Sequence, residues 1–359
     1  MARAINAIDY WRGFALVEIF INHIPGNYYE QFTHKAVSIS DSAELFVFLA
    51  GWSLKFVVGP PEDPRPAPRL IAKLFHRAFM LYAAHILIVM LAIAMLAGAS
   101  RLLGNSLILE WFNAAPVFYD PVDTHVGLVL LTHQLGYFDI LPLYIILLLI
   151  SPAIALLYRR WPSLLLPTSL AVYFAALTTE TTFRTWPAEG EWFFNPLCWQ
   201  LDFVLGFVLA RQQGPGEWVR SNLGKIRALA YPIVVAAALL RLTDLQIDPT
   251  LMPEPHLLFV DAKSFESPIR VVQFLALVAV MSSVFPYIAD WLRPIVVVFS
   301  LFGRNSLLVF CIGSLLSLGG QIARFAFTAG VALDTAYIFS GILLMFAAAT
   351  LAEWWGRVR

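Results

Sequence analysis

The sequence predicts an all-α, polytopic membrane protein of about ten transmembrane helices, folded as a single domain over residues 1–359. Three observations lead there. Of the residues, 59% are hydrophobic and only 13% are charged, and the mean hydropathy of +0.73 is far above what a water-soluble domain tolerates. The apolar runs are about 20 residues long, the length of a helical span, whereas barrel strands would alternate in segments of about ten. No stretch has the composition of a soluble domain, a low-complexity tail or an internal repeat. Acidic and basic residues number 24 each, so net charge gives no reason to expect a nucleic-acid partner. Cys198 and Cys311 fall inside apolar runs and read as packing residues rather than a bridge. HExxH, Cys/His clusters, P-loop and GxSxG patterns do not occur. Metal sites, nucleotide hydrolysis and a serine hydrolase elbow therefore have no support.

Taken in order, the expected spans are 7–26, 37–58, 70–97, 136–158, 163–180, 196–212, 228–243, 268–287, 294–318 and 334–352. The first has no separate charged leader or small-residue cleavage site and is expected to be retained. Arg65, Arg69, Lys73 and Arg77 follow span two, Arg159 and Arg160 span four, Arg211, Arg220, Lys225 and Arg227 span six, and Arg357 and Arg359 close the chain. The opposite connections carry Glu30, Glu110, Asp120, Asp123, Glu180, Glu189, Glu191, Asp244, Asp248 and Glu254. The positive-inside rule places both termini in the cytoplasm. The proline-rich GPPEDPRPAPRL reads as a stiff cytoplasmic loop, and the outer connections 98–135, 181–195 and 244–267 as a polar vestibule.

Span one, RAINAIDYWRGFALVEIFINHIPGN, carries Asp9, Arg12 and His23 in an apolar run. Charged groups at membrane depth are costly and need a reason. The step from Arg12 to His23 is within about 20° of three full turns, so both lie on one stripe about 16 Å apart, with Asp9 beside them. Such a face suits a cavity better than lipid. On span two, Asp41, Glu44, Phe48, Gly51 and Lys55 recur at three- and four-residue steps. With spans one and two antiparallel, Glu44 is expected to meet His23 and orient it as a general base, against the plainer reading of a structural ion pair.

Arg69, Lys73 and Arg77 form a basic cluster on span three, or snorkel to lipid phosphates as anchors. Tyr82 and His85 read as packing residues. Asp139, Asn195, Trp199, Gln200 and Asp202 lie at outer ends of spans four and six, where amides and carboxylates could hold a hydroxyl-rich ligand and an indole could stack on a sugar, or serve as interface anchors. Lys263 and Arg270 flank span eight and could attract a carboxylate. Arg304 and Asn305 fall inside span nine as buried polar residues, with Asp9 or Asp202 as expected partners of the charge.

The pattern R-x(10)-H, Arg12 to His23 in DYWRGFALVEIFINH, resembles the signature of the membrane acyltransferase 3 superfamily, and SAELFVFLAG resembles its second-helix motif with Glu44 at the acidic position. The ordered blocks NHIPGN, DSAELFVFLAG, YFDILPLYIILLLISP, FNPLCWQLDFVLGF and FGRNSLLVFC are similar to OpgC, the branch that succinylates osmoregulated periplasmic glucans. The resemblance covers nearly the whole chain. It implies a ten-helix inner-membrane transferase with an acyltransferase 3-like bundle, which takes succinyl from succinyl-CoA and esterifies glucose hydroxyls of a periplasmic oligosaccharide. An acyl-CoA is then a substrate, and no cofactor is permanently bound. It makes His23 catalytic, Arg12 a donor-binding or structural partner and Glu44 the orienting acid, while Arg77 matches a third-helix basic position loosely. Asp202 stands where the family pattern has an apolar residue.

On this reading the donor's phosphates stay near Arg65, Arg69, Lys73 and Arg77, its pantetheine arm passes Asp9 and Arg12, and the thioester meets His23 from below. The sugar arrives from a vestibule containing Asp41, Asp139, Asn195, Trp199 and Gln200. Asn22, Asn27 and Arg77 are equal candidates for oxyanion donors, and direct transfer and an acyl-histidine intermediate both remain open. Self-association is also open. The alternative class is a secondary transporter with His23, Glu44 and Arg304 as a proton relay, against which stands the missing inverted repeat.

Overall fold

Helices occupy all ten expected positions, though not always with the expected bounds. The computed structural model describes residues 6–60, 65–243, 251–327 and 329–358; 61–64 of the proline-rich connection, Asp244, Asp248 and Arg359 lie outside them. The helices are α1 (Ala7–Asn22), α2 (Ser42–Val58), α3 (Ala67–Leu103), α4 (Leu107–Trp111), α5 (Pro116–Tyr119), α6 (Pro121–Val129), α7 (Ile140–Arg160), α8 (Pro162–Thr179), α9 (Pro196–Ala210), α10 (Pro215–Ser221), α11 (Leu223–Leu242), α12 (Pro268–Trp291), α13 (Arg293–Arg304), α14 (Ser306–Ala326) and α15 (Val331–Val358). Among the described residues the only β pairing is an isolated bridge between Arg184 and Glu191. Among the described residues seven helices (α3, α7, α8, α11, α12, α14 and α15) are long and apolar enough to cross a membrane. At 16, 17 and 15 residues, α1, α2 and α9 are shorter than the usual span.

Several boundaries depart from the hydropathy pattern by four to six residues, among them the end of α3, the start of α11 and the end of α15, and two departures involve polar side chains. The run 37–58 is helical only from Ser42, because Asp41 caps α2: its Oδ1 accepts from the Ala43 amide, and Glu44 reaches back to the Asp41 amide, a complete capping box. Residues 30–37 instead form two short 3₁₀ turns. The run 294–318 is two helices broken at Asn305, whose side-chain amide takes the Leu301 carbonyl at 3.0 Å. The connection 98–135 contains α4, α5 and α6.

Glycines let the site-bearing helices approach their neighbours closely. A Cβ on Gly13 would lie 1.8 Å from the Phe299 carbonyl oxygen and one on Gly303 1.8 Å from that of Asp9, which seats α1 on α13. Gly51 against Phe203 (1.9 Å) and Gly206 against Phe48 (2.0 Å) do the same for α2 and α9. Side-chain bonds show the relative directions. Ser317 donates to the Phe20 carbonyl (3.0 Å), Gln321 to that of His23 (2.5 Å) and Arg324 to that of Gly26 (2.7 Å), so α1 and α14 run in parallel. The last turns of α2, α7 and α9 meet where Arg159 donates to Val58 (3.0 Å) and Arg211 to Gly59 (2.9 Å). Their first turns meet at the segment carrying Lys263, so these three helices are also parallel.

Candidate active site

His23 ends α1. Its backbone amide bonds back to Ile19 and Ile21, its carbonyl is held by Gln321, and its ring packs 4.9 Å from that of Tyr137. The ring borders a cavity of about 430 Å³ lined also by Asn22, Glu30, Lys35, Asp41, Asp139 and Lys263. Nδ1 is buried without a hydrogen-bond partner. An orphaned buried ring nitrogen costs about 1–3 kcal/mol and persists where another role requires it.

The expected orienting contact from Glu44 is not formed. Glu44 is fully buried, with one oxygen on the Asp41 amide (2.9 Å) and the other paired with Arg270 of α12. Its place in the capping box points it along the first turn of α2 rather than across to α1. Arg270 also pairs with Asp261 (3.0 Å) and approaches Glu266 (3.6 Å). Glu266 and Asp202 are fully buried beside this cluster, and all four of their carboxylate oxygens lack hydrogen-bond partners. Burial, reinforced by Glu44 and Asp202, pushes the Glu266 carboxyl well above its ordinary range. The acid at Asp202 therefore belongs to a buried cluster and does not face the His23 cavity.

Asp41 and Asp139, at the first turns of α2 and α7, do line the cavity with His23. Asn195, Trp199 and Gln200 do not. Asn195 caps α9 and donates to the Thr181 carbonyl (2.8 Å), Gln200 exchanges bonds with Ser169 of α8, and the fully buried Trp199 donates to the carbonyls of Lys263 (3.1 Å) and Ser264 (3.2 Å). A buried indole offers no face to a sugar. Trp199 and the Asn195 backbone amide hold the Lys263 segment against α9, and Gln200 ties α9 to α8. Lys263 itself pairs with Asp41 and lies 5.7 Å from the ring centres of Phe193 and Phe194. Burial works against its charge, but Asp41 and Glu44 outweigh it and hold the ammonium above its ordinary range.

Arg12 donates to Ser53 of α2 (2.5 Å) and to the Gly303 carbonyl (3.4 Å), with Asp9 3.6 Å away, so it ties α1 to α2 and α13. Asp9 in turn takes the Asn6 amide (2.6 Å). Arg69 and Lys73 are exposed on the first turns of α3, and Arg77 is half-buried. Arg304 is half-buried and pairs with Glu353 of α15 (2.7 Å), not with Asp9 or Asp202; Asn305 is half-buried at the helix break. Among the described residues Glu44, on Arg270 and the Asp41 amide, and Arg304, on Glu353, make no direct bond to His23.

One pair went unread in the sequence. Glu18, buried in the FALVEIF run of α1, takes the His34 ring and backbone amide (2.8 Å) and the Ser42 hydroxyl (2.9 Å). The signal was present: an acid in an apolar run, the same rule that singled out Asp9.

A family model described as OpgC protein matches residues 3–357. The chain belongs to the OpgC family. Membership implies a glucan-modifying succinyltransferase role, and the matched region contains Arg12, His23 and the whole Lys263–Arg270 segment. No curated protein and no solved structure matches the chain.

Proposed function

We propose that this chain moves succinyl from cytoplasmic succinyl-CoA to a glucose hydroxyl of a periplasmic glucan, with His23 as general base. The observation that carries the reading is the placement of the R-x(10)-H histidine on the wall of a polar cavity, with one ring nitrogen buried and unpartnered. The protein would be a ten-helix acyltransferase 3-like bundle in the bacterial inner membrane, with α1, α2 and α9 joining the seven longer helices and both termini cytoplasmic. The shared direction of α1 with α14, and of α2 with α7 and α9, supports that topology because it matches odd and even spans in the expected order.

In the reaction, a sugar hydroxyl enters the cavity between Asp41 and Asp139, which accept its neighbouring hydroxyls. Its proton passes to the His23 imidazole as its oxygen attacks the thioester carbon. The C–S bond then breaks, and the imidazolium returns the proton to the departing thiolate, leaving an ester and free CoA. Asn22 is the oxyanion donor that the geometry favours. Its Oδ1 already accepts from Thr33 (2.9 Å), leaving its NH₂ for the cavity, whereas the Asn27 NH₂ is spent on the Ile21 and Ile24 carbonyls. Arg12, about 16 Å down α1 from His23, acts on the donor's path or on helix packing and not on the acyl carbon. Asp9 orients it, and Arg69, Lys73 and Arg77 supply cations for the CoA phosphates. Glu44 is a positioning residue that holds the first turn of α2 and Arg270.

His23→Gln is expected to reduce succinyl transfer by about 10²–10⁴-fold, the usual contribution of a general base. The measurements are mass spectrometry of periplasmic glucans and CoA release by the purified protein. Succinylated glucan at normal levels in that strain would remove His23 from the chemistry.

A further inference from the structure

We infer that Lys263 is the specificity residue for the acyl group, binding the free carboxylate of a dicarboxylic donor and so selecting it over a neutral acyl chain of equal length. This rests on the transferase reading of the His23 cavity. A four-carbon dicarboxylic acyl group carries its second carboxylate on the order of 4 Å from the thioester carbon, three C–C bonds away. With the reacting carbon at His23, that charge falls within the same cavity, and something there must receive it.

The cavity contains three acids, Glu30, Asp41 and Asp139, against two lysines, Lys35 and Lys263. An additional anion is repelled unless it meets a cation directly. Lys35 is committed to Glu30 at 3.0 Å in a more open position, its side chain 46% exposed against 31% for Lys263. Lys263 is the held cation. Trp199 fixes its carbonyl, the Asn195 amide bonds to the next carbonyl at 3.0 Å, and the rings of Phe193 and Phe194 flank its ammonium. An ammonium has three donors, and Asp41 takes one of them, so a second carboxylate can bind without displacing the first. Asp41 itself is anchored through its other oxygen to the Ala43 amide, which leaves the ammonium aimed at the cavity rather than drawn into α2. No other segment of the outer connection has a comparable set of restraints on a cationic side chain among the described residues.

The test compares succinyl-CoA with butyryl-CoA, which has a methyl group where the carboxylate would be, using the purified full-length protein in nanodiscs with glucan acceptor. Lys263→Met should lower kcat/KM for succinyl-CoA relative to butyryl-CoA by about 10- to 100-fold, the worth of one charge-assisted hydrogen bond, with the change chiefly in KM. Lys263→Arg should keep the preference for succinyl. The ratio of the two donors' Kd values, measured without glucan, should shift in the same direction and needs no turnover. Equal losses with both donors, or an unchanged ratio in Lys263→Met, would overturn the assignment. Failure of the parent reading looks different: the wild-type protein then releases CoA from neither donor, or His23→Gln is as active as wild type.

Discussion

Arg270 serves three carboxylates, and replacing it with methionine tests the account of the buried cluster. The side chain is 4% exposed and serves Glu44 and Glu266, both at 0%, together with Asp261. Removing it leaves Glu44 with the Asp41 amide alone and Glu266 with no polar partner. Breaking a buried pair from one side costs about 3–5 kcal/mol, because the surviving charge stays desolvated. At 1.4 kcal/mol per decade that is roughly a 10²- to 10³-fold shift toward unfolding or more. The double variant Arg270→Met/Glu44→Gln should recover much of the loss, since it removes both charges and the glutamine oxygen can still accept the Asp41 amide. The sign of the pH dependence follows from Glu266. Its carboxyl titrates above its ordinary value of 4.5, so the folded state holds the proton more tightly than the unfolded chain. Stability from that source is present at low pH and is lost as pH rises through the folded-state value, and the loss extends to higher pH without Arg270, whose charge lowers that value. Thermal unfolding in nanodiscs, followed by tryptophan fluorescence across pH, measures all of this. An Arg270→Met protein as stable as wild type, or a double variant no better than the single, would refute the reasoning.

Two further outcomes follow from the packing. Gly303→Ala puts a methyl 1.8 Å from the Asp9 carbonyl and forces α1 off α13, with an expected cost of about 1–3 kcal/mol, whereas Gly98→Ala, with nothing within 4 Å, should be neutral or stabilising; unfolding midpoints of the two variants should separate accordingly. His34 is half-buried, which opposes its charge, but its bond to Glu18 outweighs this and holds its pKa above the ordinary 6.5. Its stabilising contribution is therefore complete below 6.5 and lost as pH rises through the folded-state value, so the unfolding midpoint should fall as pH rises above 6.5 and His34→Gln should flatten that slope.

The amino-acid order alone determined the membrane class and the positions of the helices, because hydropathy is a local property. It also singled out Asp41 and Asp139, acids at the start of long apolar runs, which the fold brings to one cavity with His23. The partners of the buried charges were decided only in three dimensions. Glu44 lies three residues from its cap and 226 from Arg270, and no periodicity relates positions so far apart. Trp199 and Gln200 look like sugar ligands in a line of text, but packing against the Lys263 segment and α8 turns them inward. The break at Asn305 was invisible because hydropathy averages over a window, whereas a helix ends at a single residue whose backbone leaves the helical conformation, here Asn305 with φ −105° and ψ 32°. Solvation cost is written residue by residue along the chain. Which charge compensates which depends on the helix pairings that bring distant residues within a few ångströms.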